Sequence, residues 1–537
     1  MSNVLRWSVF PLVFALSCTP VPPEVKPAPA PAFTPPGPTL RRLTQEQYRA
    51  SVTALLGDGL ILPSNLEPDA ISDGLRAVGA GVAALSPVGV ERYEDAAYDL
   101  ARQALGADRR VRLLSCTPTP AADDPCVSAF VSDVGRLAWR RTLTDEEREP
   151  LVAVASLAAT QTGDPYEGLV YALAAMLQSP NFLYRVELGE PVPGAPDTYR
   201  YTSVEMASRL AFFLWDAPPD DALIAEGEAG ALIDDAEVDA AVERMLADDR
   251  ARDGVRAFFD DMLTLYLLND LSKDPTVFTL ATSTLGPAAR EETLRGLEYL
   301  TFDANEDYRS IFTTQRTFIN RELATLYEVR APSRDEFGEA WLETAGERRG
   351  LLGQASFLAL QSHAVSTSAT RRGMFVREVL LCQDIPAPPA DVDTSIPEAS
   401  TDARTLRERV AVHLQDPTCA GCHNLMDPIG LSFENFDGVG AWRDDDDGAA
   451  IDASGQLDGA SFRDAWDLGR ALRDHDRIGA CLTETMFRYA VGHSIADGEE
   501  AYVEWLADGF SLADHSVRAL LADIATSPAF RTVGAAE

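Results

Sequence analysis

Along most of the chain apolar residues recur three and four positions apart, the period of a helix with one buried face, and helix-starting signals precede them. Thr44-Gln45-Glu46-Gln47 is a capping box, followed by Tyr48, Val52, Leu55 and Leu56 on one stripe and by Gly57 as a stop. The same device opens predicted helices at Thr144-Asp145-Glu146-Glu147, through Leu151 and Val154, and at Thr202-Ser203-Val204-Glu205, through Met206, Leu210, Phe213 and Leu214. Phe212-Phe213-Leu214-Trp215 reads as core. No comparable run of alternating Val, Ile and Thr with hairpin turns competes, so the pattern predicts a mainly α fold. Ser179-Pro180-Asn181-Phe182 after one apolar helix is echoed by Ser527-Pro528-Ala529-Phe530 after another, either an internal duplication or a shared local stop. Breaks fall at 187–196, 270–287 and 384–400. The last, with Ile385-Pro386-Ala387-Pro388-Pro389, divides a multi-domain helical body from a small cytochrome-c-like C-terminal module.

Charge narrows the partners. Lys+Arg of 46 against Asp+Glu of 84 gives −38, which repels phosphate backbones, so no nucleic acid is expected. Runs such as Asp444-Asp445-Asp446-Asp447 read as solvated loops, and Trp139-Arg140-Arg141 and Arg371-Arg372 as carboxylate partners. No Gly-x-Ser-x-Gly, phosphate loop or His-Glu-x-x-His is present, so catalytic residues are not assigned.

The first residues read as an export signal: Arg6, then the short apolar run from Val9 to Leu16, then Ser17-Cys18. Ala15-Leu16-Ser17-Cys18 resembles a bacterial lipobox and predicts lipidation at Cys18, a membrane anchor. A plain secretory peptide is the alternative. Residues 19–39 are proline-rich and extended, a stalk reaching roughly 60 Å at about 3.1 Å per residue. Seven cysteines, less Cys18 and the pair Cys419 and Cys422, leave four, an even number in an oxidising compartment. The expected bridges are Cys116–Cys126 and Cys382–Cys481, against the alternative of buried free thiols.

Cys419-Ala420-Gly421-Cys422-His423 carries the strongest chemistry. Covalent haem needs two thiols one helical turn apart and an imidazole directly after the second, and this pentapeptide supplies both. His423 is then the proximal iron ligand, and the carbonyls of Asp427-Pro428-Ile429-Gly430 are expected to accept its other N–H. A Cys419–Cys422 disulfide and a zinc site are the competing readings. Met426 projects on the same side as His423 and reads as packing. Met486 or His493 are the candidate distal ligands, with His475, Met374 and His363 behind them.

With these motifs on the page, the chain resembles a family of exported multi-domain proteins centred on domain of unknown function 1592, with the 1587, 1595, 1588 and 1585 modules. The resemblance rests on Arg42-Leu43-Thr44-Gln45-Glu46-Gln47-Tyr48-Arg49, on Ala138-Trp139-Arg140-Arg141, and on Gln178-Ser179-Pro180-Asn181-Phe182-Leu183-Tyr184-Arg185. Thr317-Phe318-Ile319-Asn320, Arg372-Gly373-Met374-Phe375, the Cys419 to Gly430 string, Glu434-Asn435-Phe436-Asp437 and Cys481-Leu482-Thr483-Glu484 extend it. It implies cytochrome-like haem in an exported protein, with no settled substrate; at His493 the chain departs from the arginine that relatives often carry.

The expected organisation is a signal peptide (1–17), a lipid-anchored linker (18–39), helical modules at 40–110, 111–190 and 191–335, a connecting module (336–400), the haem-motif module (401–465) and a C-terminal helical module (466–537). The expected function is an exported periplasmic or cell-surface lipoprotein of the outer membrane, carrying covalent haem c and passing electrons to a redox partner protein. The alternatives are a haem-dependent oxidase or peroxidase, and a haem-free disulfide-held scaffold.

Overall fold

The computed structural model describes residues 29–121, 124–194, 198–343, 348–386, 400, 403–411, 415 and 417–535. It is mainly helical, with short two- to four-residue strands in small antiparallel sheets. The three capping boxes form as the local sequence dictates, at the starts of the helices Gln45–Leu56, Asp145–Thr162 and Ser203–Leu214. Gly57 ends the first of these at φ 88°, where a side chain is strained. Phe212, Phe213, Leu214 and Trp215 are all buried. Among the described residues no helix is long and apolar enough to cross a membrane.

The echoed Ser-Pro segments do more than stop helices. Ser179 caps a new single turn, Pro180–Leu183, and Ser527 caps Pro528–Arg531, each proline sitting where a helix needs no N–H donor. Each turn delivers a buried phenylalanine, Phe182 or Phe530, and runs into a strand. Tyr184–Arg185 pairs with Arg41–Arg42, and Thr532–Val533 pairs with Tyr199–Arg200. Both ends of the chain are thereby stitched to its middle.

Two hairpins departed from the sequence expectation. The acidic run is not a plain loop: Asp445–Asp446 pairs with Ala449–Ala450 across Asp447-Gly448, and Gly455–Leu457 pairs with Ala460–Phe462 across Asp458-Gly459. All four turn residues have positive φ, the signature of a tight turn whose twist matches its strands. The strands are too short to show alternation. Asp446 is held by Arg443 at 2.9 Å and Arg409 at 3.4 Å.

The end of the proline-rich stretch is also not a free stalk. Phe33 lies 4.9 Å from the Tyr502 ring, and Pro36 accepts a 2.7 Å hydrogen bond from the Gly534 amide. Residues 19–28 and Cys18 lie outside the described residues.

One apolar core takes in Val78, Phe213, Phe258, Phe357, Ile429, Phe433, Met486 and Phe530, so widely separated segments share it. A second, around Tyr48, Tyr93, Phe130, Leu173 and Phe182, joins the earlier helices. Both expected disulfides are present, Cys116–Cys126 and Cys382–Cys481.

Buried charge knits these parts together. Glu187, 2 % exposed, is bound by Arg185 and Arg209, with Arg41 4.0 Å away. Arg209 Nε donates to the Phe530 carbonyl at 3.1 Å, and Arg41 donates to the carbonyls of Ala490 and Tyr489 at 3.0 and 3.3 Å. Burial pushes the Glu187 carboxyl up, but Arg185, Arg209 and Arg41 outweigh it and hold it down at about 2. The arginines expected to face carboxylates divide: Arg141 does bind Glu147, whereas Arg140 donates to the carbonyls of Asn181, Phe182 and Tyr184. Arg371 likewise donates to the Ser362 and Leu360 carbonyls.

The helix Pro417–Gly430, which contains the Cys-x-x-Cys-His motif, crosses the helix Ala369–Phe375 at two glycines. A Cβ on Gly430 would stand 1.7 Å from the Ala369 carbonyl oxygen, and one on Gly373 would stand 2.0 Å from that of Met426. Only glycine permits backbones this close.

Two outcomes follow from this architecture. Gly430→Ala must force the helices apart and is expected to cost about 2 kcal/mol or more in urea unfolding, whereas Gly421→Ala on the same helix is neutral or slightly stabilising. Glu187 has its pKa lowered on folding, so its stabilisation is complete above about 4.5 and is lost as pH falls toward about 2. Glu187→Gln should therefore destabilise by on the order of 3 kcal/mol at pH 7, and the gap to the parent protein should narrow on acidification.

Candidate functional site

Helix Pro417–Gly430 positions the motif through contacts made farther along it. Its second half is fixed from below. Asp427 is fully buried and accepts from Thr370 Oγ1 at 3.0 Å across the glycine crossing. Arg377 Nε donates to the Leu425 carbonyl at 3.1 Å, while its Nη1 reaches Gln383 and Asp458, both at 2.7 Å. Arg372, with no exposed surface, donates to the carbonyls of Phe433, Phe436, Asp437 and Leu358 and lies 3.5 Å from Glu434. It was expected to be a carboxylate partner; it serves chiefly as a clamp on the chain that leaves the motif helix. Five N–H donors in one plane suit that task.

His423 sits one turn before Asp427, with Nδ1 2.8 Å from Asp427 Oδ2. The carboxylate side chain, not the following carbonyls, therefore orients the ring. A carboxylate can only accept, so Nδ1 carries a hydrogen and points it at Asp427. The spacing of four on a helix was a readable signal for this pair.

Cys419 and Cys422 are unbridged, partly exposed thiols one turn apart, and Cys422 Sγ lies 3.5 Å from the Pro386 carbonyl. The disulfide reading is thus not the state seen. Among the described residues no group of three or more His, Cys, Asp or Glu side chains is placed to hold a metal ion. Among the described residues nothing lies within 4 Å of where a Gly421 Cβ would be. Two thiols a turn apart and an imidazole oriented by Asp427 fit a covalently bound porphyrin.

The other candidate residues lie in different surroundings. Met426 is buried beside the glycine crossing, as its packing role requires. Met486 is fully buried in the main core, on the helix Arg477–Val491 that also holds Cys481. His493 lies just beyond that helix, with Nδ1 donating to the Ser494 carbonyl at 2.8 Å and Glu499 3.7 Å away. Burial lowers its pKa, with Arg209 and Arg41 adding to the effect, which puts it beside the Glu187 cluster. His475 is bound to Asp458 at 3.1 Å, and His363 is exposed near Arg371 and Lys273, with its pKa lowered by desolvation and by those two cations. Met374 is 37 % exposed on the helix Ala369–Phe375, the one that packs against the motif helix. The Cys382–Cys481 bridge ties the segment before the motif to the helix of Met486.

Five family profiles match the chain in succession, each described as a protein of unknown function: DUF1587 at residues 41–106, DUF1595 at 126–187, DUF1592 at 201–329, DUF1588 at 348–446 and DUF1585 at 458–530. The DUF1588 segment contains both helices of the glycine crossing and the Cys-x-x-Cys-His motif. No curated protein and no solved structure matches the chain. The order and extent of these segments, together with the shared core that joins them, show that the chain belongs to the multi-domain family assembled from the DUF1587, DUF1595, DUF1592, DUF1588 and DUF1585 modules.

Proposed function

We propose that the protein is an exported lipoprotein, anchored to the outer membrane through Cys18, that carries one covalent haem c on a cytochrome-c-like segment and passes electrons in the cell envelope. The observation that carries this reading is the His423–Asp427 hydrogen bond of 2.8 Å on a helix that presents two unbridged thiols a turn earlier. Bound haem supplies a one-electron iron couple. Cys419 and Cys422 are the attachment thiols, and His423 offers Nε2 to the metal. Asp427 fixes the tautomer and raises the basicity of the ring, and Thr370 holds Asp427 in turn. Two disulfides elsewhere in the chain support an oxidising compartment. A charge of −38 favours a redox partner with a basic face.

The test is expression with haem-attachment machinery in an exporting host. Intact mass and peptide mapping should place one haem on the peptide containing Cys419 to His423, and Cys419→Ala with Cys422→Ala should abolish it; a matured protein without added porphyrin refutes the proposal. Reduced protein should show no spectral response to carbon monoxide; a response would count against the electron-carrier reading and for a haem-dependent oxidase or peroxidase. Asp427→Asn should retain the haem but raise its reduction potential in a redox titration, because a weaker acceptor makes His423 a poorer donor to oxidised iron.

A further inference from the structure

A cavity of about 190 Å3 lies where three of the family's segments meet, and none of its lining residues belongs to the motif helix or the helix that crosses it. Gln47 and Arg76 come from the first segment, Asp216, Asp260 and Arg290 from the DUF1592 segment and Tyr489 from the last. Binding sites favour such junctions.

Most of the charge on its wall is already matched. Arg76 binds Asp261 at 3.1 Å and Asp260 at 3.2 Å, Arg290 binds Asp260 at 2.6 Å, and Arg256 is taken by Glu291 and Glu298. Asp261 also accepts from the Ala77 amide at 3.1 Å, capping the short helix Arg76–Gly79. These contacts account for Arg76, Asp260 and Asp261 as structural groups.

Asp253 is exposed to solvent, which leaves two less exposed lining groups, Tyr489 and Asp216. Tyr489 is 5 % exposed, and its ring is held by Phe258 at 5.3 Å and Phe213 at 6.4 Å, yet its hydroxyl makes no hydrogen bond with the described residues. Tyr489 lines the cavity, and its hydroxyl is both a donor and an acceptor there. Asp216 accepts from Gln47 Nε2 at 2.8 Å on one carboxylate oxygen, and the other has no hydrogen-bond partner among the described residues. Its φ of 51° is in the left-handed region, a strained conformation that turns it out of the preceding helix. Burial pushes its carboxyl up to about 7, against the pull of Gln47 and Arg76, so near neutrality it can both donate and accept.

We propose that this cavity binds one small, neutral, polyhydroxylated molecule about the size of a single sugar ring, recognised by Tyr489 and Asp216. An anion would meet Asp216, Asp253, Asp260 and Asp261, and a cation would face Arg76, Arg256 and Arg290. A ring of hydroxyls uses both sets, because each hydroxyl donates and accepts, while Leu294 and Ala257 offer an apolar surface for its C–H face. The inference is independent of the haem reading, since the cavity and the motif share no residue.

The experiment is saturation-transfer NMR followed by calorimetry on the full-length protein with D-glucose, D-galactose, D-xylose and myo-inositol, alongside glucuronate and glucosamine as charged counterparts. At least one neutral probe is expected to bind saturably and more tightly than either charged one. Tyr489→Phe, which deletes only the unpaired hydroxyl, and Asp216→Asn should each weaken it at least tenfold without changing the melting temperature of the Tyr489→Phe protein. No saturable binding by any neutral probe means the cavity holds ordered water only and overturns the proposal; so does tighter binding of a charged probe, or binding undiminished in both variants.

Discussion

Buried guanidinium groups that donate to backbone carbonyls are the interaction on which this structure depends. Helices that end inside a protein leave carbonyls without partners, and in a chain of many short helices this cost recurs at each junction. Arg140 meets it at the single turn Pro180–Leu183, Arg41 at the end of Arg477–Val491, and Arg372 behind the motif helix. Desolvation lowers the pKa of Arg41 and Arg140 to about 9 and of Arg372 to about 10, so all three remain cationic near neutrality. Drawing these cations inward also leaves the surface more acidic than the composition alone implies, which bears on what can dock there.

The motif helix inherits its geometry from the same arrangement. Arg372 anchors the chain that follows it, Arg377 grips Leu425, and the glycine crossing brings Thr370 within reach of Asp427. Asp427 can be fully buried only because both of its oxygens have partners, Thr370 on one and His423 on the other. The ring of His423 is consequently oriented by a carboxylate that the body of the protein holds, rather than by its own helix alone. Its orientation is set before any cofactor enters, which limits the reorganisation that a change of charge at that position would demand.

Local signals were legible in the sequence because one stretch of chain contains all their partners. The capping boxes at Thr44, Thr144 and Thr202, the stop at Gly57 and the apolar face of Phe212 to Trp215 are of this kind, and the two disulfides followed from having four cysteines to pair. The Asp447-Gly448 and Asp458-Gly459 turns also carried a local signal, hidden because strands of two or three residues show no alternation. What the sequence concealed is long-range. Gly373 and Gly430 are each ordinary helical glycines until they oppose one another's carbonyls, and Arg140 or Arg372 looks like a surface cation until a carbonyl from another segment arrives. The site was half readable for the same reason: Cys419, Cys422 and His423 announce themselves, Asp427 was readable from its spacing, and Thr370 was not.

Sharing of the core bears on how a cofactor at the motif would behave. Ile429 in the last turn of the motif helix and Phe433 just beyond it belong to the same apolar core as Phe213 and Phe530, and Cys382–Cys481 adds a covalent tie. A segment with a core of its own can swing on a linker; one whose apolar residues complete the core of its neighbours must expose them to move. Fully burying a side chain the size of Phe433 is worth about 1.5–3 kcal/mol, so freeing even the two residues Ile429 and Phe433 would cost several. The motif helix is therefore held in a fixed orientation to the acidic body, and the thiol-bearing turn is carried at a constant position on it.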